Sequence, residues 1–112
     1  MSLKEKMMDY LNSDRKRSIY VPEFNETVYF TPITVVQMEK IMTLSQNSMS
    51  ATHVWTIIEK AEKEDGSKAF GVEDKPFIEQ VPWSIVTKIT GEIMNVVPVE
   101  EVKKNSEKTS ST

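Results

Sequence analysis

The sequence predicts a mainly α-helical single domain with a small N-terminal β-hairpin, a minor α+β variant with about four to five helices. Three observations carry that prediction. Apolar residues recur at helical spacing in several separate stretches. One pair of β-branched and aromatic runs flanks the turn residues Glu-Phe-Asn-Glu that follow a Pro. The chain has 112 residues, enough for one hydrophobic centre and too few for two.

In residues 2–12, Leu3, Met7, Met8 and Leu11 share one amphipathic face. A terminal helix this short is marginal unless it docks. The basic run Arg15-Lys16-Arg17 follows, then Ile19-Tyr20-Val21 and Thr27-Val28-Tyr29-Phe30-Thr31, two strands joined through Glu23-Phe24-Asn25-Glu26. A lone hairpin is marginal in water, so it is expected to lie against helices. Thr34 with Gln37 three residues on makes a capping box for a helix carrying Val35, Met38, Ile41, Met42 and Ser45. The polar cluster 45–48 ends it.

Ser50 or Thr52 is expected to cap the next helix, with Ala51, Val54, Trp55, Ile58 and Ala61 inward and Glu59, Lys60, Glu62 and Lys63 on or flanking the polar face. Asp65-Gly66 is expected to stop it. After an extended link, Asp74 stands as N-cap to a brief helix in which Phe77, Ile78 and Val81 pack, ending before Pro82. Pro82 then fits the first turn of a last helix through Ile85 or Val86, Ile89, Ile93 and Val96 or Val97, with Gly91 as its weak point.

The apolar share is 38%, below the usual globular value, and the deficit falls in residues 98–112, where only Val99 and Val102 are apolar. The expected organisation is therefore an N-terminal helix with a basic linker (1–17), a folded domain (18–97) and a disordered polar tail (98–112). A net charge of −3 argues against nucleic acid as partner. No apolar run is long enough to span a membrane, and no signal layout opens the chain.

Chemistry is narrowly bounded. With no cysteine and one histidine, thiolate catalysis, Cys-ligated metals and His-rich sites are out of reach. The carboxylates alternate with lysines or sit at helix ends: Glu59 and Lys63 read as an i, i+4 surface pair, and Asp74 as a cap. Asp65-Gly66 lacks the register of a calcium loop, and His53 has no metal-binding partner one turn away. No glycine-rich phosphate loop is present. Arg15-Lys16-Arg17 reads as a solvated linker. No catalytic residue, cofactor or metal is expected.

Methionine supplies the one positive signal. Six lie inside the chain, and Met suits adaptable binding surfaces because it repacks at low cost. Met7, Met8, Met38, Met42 and Met49, with Trp55, are the candidate protein-binding residues. Core filling is the simpler reading of Met38, Met42 and Met94, and core anchoring that of Trp55 and Trp83, with an interface role as the alternative.

The stretch 19–34, Ile-Tyr-Val-Pro-Glu-Phe-Asn-Glu-Thr-Val-Tyr-Phe-Thr-Pro-Ile-Thr, resembles the opening of the small tail assembly chaperones of long-tailed bacteriophages and prophages. Asp65-Gly66, Phe70 and Asp74 resemble their Asp-Gly-x-x-x-Phe-x-x-x-Asp link, before a short and a closing helix. The resemblance covers most of residues 19–97. It implies a non-enzymatic factor of the host bacterial cytoplasm that binds the tape measure protein, keeps it soluble, recruits tail tube protein and leaves before the virion is complete. It also implies self-association or a frameshifted longer product. A phage structural or adaptor protein and a nucleic-acid-binding regulator are the rival readings.

Overall fold

The computed structural model describes residues 2–94. The expected tail (98–112), and Val96 and Val97 of the last helix, lie outside them. Five helices and one two-stranded antiparallel hairpin make the fold: α1 (Leu3–Leu11), β1 (Arg17–Val21), β2 (Glu26–Phe30), α2 (Val35–Ser45), α3 (Met49–Lys60), α4 (Lys75–Ile78) and α5 (Trp83–Ile93). The first strand takes in Arg17, at the end of the expected linker.

The hairpin pairs Ile19 with Val28 and Tyr20 with Thr27. Because strand side chains alternate faces, Ile19, Val21, Val28 and Phe30 all turn to the helices; Val21 and Phe30 are fully enclosed. α2 begins at the expected capping box: Thr34 Oγ1 accepts from the Gln37 N–H at 3.1 Å and Gln37 Oε1 accepts from the Thr34 N–H at 2.9 Å.

α3 departs most from expectation. Ser48, and neither Ser50 nor Thr52, is its N-cap, accepting from the Ala51 N–H at 3.3 Å. It ends at Lys60, well before Asp65-Gly66, because Ala61 turns extended and Glu62 pairs with Tyr29 of β2 in both directions, at 3.1 and 2.7 Å. The helix is central: α2, α4 and α5 all pack on it, and residues 54–58 are buried in succession, as a helix surrounded on all sides must be. Lys60 therefore leaves the expected polar face and is 2% exposed. The expected Glu59–Lys63 pair is replaced by Glu59 with Lys40 at 3.1 Å and Lys68 at 3.7 Å.

Asp74 sits at the N-cap position of α4, but its carboxylate reaches back to the Gly71 N–H at 2.8 Å and closes the preceding 3₁₀ turn (Val72–Asp74). Only Ile78 of α4 enters the core; Phe77 points out. Pro82 is the N-cap of α5 rather than its first turn, with its carbonyl accepting from Ile85 and Val86.

Gly91 lies inside α5, and a Cβ there would meet nothing within 4 Å. Gly91→Ala is expected to stabilise the protein by about 0.5–1 kcal/mol, because alanine loses less backbone entropy in a helix. Urea unfolding should show a higher midpoint at unchanged slope.

Candidate protein-docking surface

The six sequence-chosen residues do not form one patch. Met7, Met8, Met42 and Met49 are exposed, Met38 is half-buried, and Trp55 is in the core at 9% exposure. Trp55 thus takes the core-anchor place that is its simpler reading, not the interface place, whereas Trp83, expected as an anchor too, is 48% exposed at the start of α5. Its indole meets the His53 ring edge-on, centroids 4.9 Å apart. His53 Nδ1 is 2.6 Å from Thr90 Oγ1, so the lone histidine ties α3 to α5, and burial holds its pKa below the ordinary imidazole value.

α1 buries none of its residues. It is capped by Ser2, whose hydroxyl accepts from the Glu5 N–H at 3.2 Å. Met7, Tyr10 and Leu11 face Ile33 and Val35 at the start of α2 across an open cleft of about 450 Å³, into which Arg15 also reaches. Arg15 Nε is enclosed with no hydrogen-bond partner among the described residues. Val35 and Met42, seven residues apart on α2, share one helix face, and both are exposed although the sequence pattern turned them inward. Their exposure follows from α2 packing on α3 through Ile41 and Ser45 instead. An apolar strip therefore runs from α1 along α2. Met49, at the first turn of α3, stands apart from the residues that line the cleft.

Lys16 of the basic run is engaged within the fold: its ammonium donates to the Glu64 carbonyl and lies 5.1 Å from the Tyr29 ring centre. Asp65 accepts from the Ser67 hydroxyl at 2.6 Å and the Ser67 N–H at 2.9 Å, which hold its carboxyl below the usual range. These bonds belong to a turn in which Gly66 has φ +88°. No group of three His, Cys, Asp or Glu side chains among the described residues could hold a metal ion. No helix among them is long and apolar enough to cross a membrane.

A second hollow, missed in the sequence, opens between the hairpin loop, α4 and α5. Phe24, Val28, Phe70, Phe77, Val81 and Ile89 line it, and it holds about 280 Å³. One signal could have pointed to it. α4 is four residues long, and neighbours on a helix diverge by about 100°, so Phe77 and Ile78 cannot both face the core.

Neither a protein-family model nor a curated protein matches the sequence. Among solved structures, the bacteriophage HK97 tail assembly chaperone is similar, with a TM-score of 0.61 at 10% sequence identity over 85% of this chain and 96% of that one. The chain thus shares its overall fold with that structure.

Proposed function

We propose that the chain is a tail assembly chaperone of a long-tailed bacteriophage or prophage. It binds the tape measure protein in the host bacterial cytoplasm, keeps it soluble, promotes addition of tail tube protein and is absent from the mature virion. The observation that carries this reading is the fold likeness spanning 96% of the HK97 chaperone chain. The exposed strip supports it: a long helical client offers apolar stripes, and Leu3, Met7, Leu11, Val35 and Met42 supply adaptable apolar contact without a nucleotide, metal or nucleophile. Several copies, self-associated or joined by a frameshifted longer product, would multiply weak contacts along the client.

Pull-down with the tape measure protein of the same phage or prophage tests the proposal. Met7→Ser with Met8→Ser and Met42→Ser is expected to weaken capture by about ten-fold or more, because interface energy concentrates in a few apolar anchors. The thermal midpoint should move only a few degrees, since all three side chains are exposed. Full capture by the triple variant removes these residues from the site. Finding the chain in finished virions by mass spectrometry replaces the chaperone with a structural adaptor.

A further inference from the structure

We propose that the hollow between the hairpin loop and α4 docks an amphipathic helix whose apolar stripe is flanked by basic side chains. The site shares no lining residue with the α1–α2 cleft, and the inference goes beyond the chaperone reading because it does not depend on what the partner assembles.

The first ground is shape and chemistry. Every lining residue is apolar, so a polar small molecule would find no partner to orient it. At about 280 Å³ the hollow falls just short of the range that encloses drug-sized ligands, which suits it to an anchor side chain carried on a larger body. Two aromatic rings frame it from independent elements: Phe24 is 50% and Phe77 62% exposed. Both are held in place. The hairpin loop is closed by the Phe24 N–H to the Val21 carbonyl at 3.1 Å and by Tyr20 Oη to Asn25 Oδ1 at 2.6 Å. On α4, the burial of Ile78 fixes its neighbour outward. Rigid, half-exposed aromatics around an apolar depression are what an interface hot spot is built from, and a helix laid in a groove is a common way to fill one.

Charge selects the partner. Residues 22–30 hold Glu23 and Glu26 and no base, and residues 61–81 hold six acids against three lysines. The segments framing the hollow are therefore more negative than the whole chain, whose net charge is −3. Lys75 and Lys88 are already paired, with Glu79 at 3.2 Å and Glu23 at 3.7 Å. Glu26 and Glu73 remain exposed with no ion pair among the described residues. Basic flanks on an incoming helix meet these acidic segments favourably, and acidic flanks are repelled.

Two synthetic peptides with the same leucine stripe, one with lysine and one with glutamate on its polar face, test this when titrated into the full chain. Fluorescence anisotropy gives affinity and amide shifts give location. The lysine peptide is expected to bind about ten-fold or more tighter at low salt, with the gap closing at about 0.5 M salt. Shifts should centre on Phe24, Phe70 and Phe77. Phe77→Asp is expected to abolish binding with circular dichroism unchanged. Should that variant misfold, Glu26→Lys with Glu73→Lys reads the same site, and the lysine preference must vanish. Equal affinity for the two peptides overturns the proposal, as do shifts centred on α1 and α2 or binding that survives Phe77→Asp. A second copy of the chain found in the hollow by sedimentation, and released by Phe77→Asp, overturns it also.

Discussion

Trp55→Ala is expected to cost about 3–5 kcal/mol of stability, the range for deleting a large aromatic from a core. The indole is 9% exposed on the central helix, in the cluster that also holds Ile41, Ile58 and Ile89. A small domain has about 5–15 kcal/mol in total, so this one change takes a large share. Urea unfolding followed by circular dichroism should show a midpoint lowered at nearly constant slope. Trp83→Ala is the matched control. Its ring is 48% exposed and loses chiefly the edge contact with His53, expected to cost about 1 kcal/mol. A loss of binding in Trp55→Ala then follows from unfolding, and Trp83→Ala should leave folding nearly intact. Equal costs at the two positions would overturn the distinction between a core Trp55 and a surface Trp83.

Gln37→Leu is expected to cost about 2–3 kcal/mol, more than a cap on an exposed helix normally contributes. The amide oxygen of Gln37 accepts two hydrogen bonds, from the Thr34 N–H at 2.9 Å and from Lys60 Nζ at 3.0 Å. Lys60 Nζ also donates to Thr31 Oγ1 at 2.9 Å. Burial lowers the pKa of that ammonium, with Glu62 raising it and Arg15 lowering it further. Among the described residues this buried ammonium donates only to neutral oxygens, and removing one acceptor leaves part of its desolvation cost uncompensated.

The double variant decides between the two roles of Gln37. Lys60→Met removes the charge and keeps most of the volume, so by itself it is expected to lie within about 1 kcal/mol of the wild type. Combined with Gln37→Leu, it should recover about 1–2 kcal/mol of the single-variant loss, a coupling read from a thermodynamic cycle. Strict additivity would show that Gln37 acts only as a cap. At about 4–8 °C per kcal/mol in a domain of this size, both outcomes are well resolved by thermal melts.

Gln37 also shows how far the sequence reaches. Its capping role was legible because Thr34 and Gln37 are three residues apart and a helix start needs only local partners. Its role for Lys60 was hidden, since Glu59-Lys60-Ala61-Glu62-Lys63 reads as a solvated face until the end of β2 and the start of α2 close over it. The end of α3 was misplaced for a related reason. Asp65-Gly66 is a sound turn signal, but the Tyr29–Glu62 pairing, across thirty-three residues, takes the backbone out of the helix first.

The candidate surface divides in the same way. Composition pointed to methionine and located Met7 and Met8 on an amphipathic helix, but gave no means of ranking Trp55 against Trp83 or of seeing Phe24 and Phe77 as neighbours. By itself the sequence determined the order and type of the elements, the hairpin, the cap of α2 and the lack of thiol chemistry, all consequences of periodicity, local hydrogen bonding and composition. Only the tertiary structure decided which apolar side chains are buried. Each helix carries more apolar surface than its neighbours can cover, and the choice depends on crossing geometry set by residues distant in the chain.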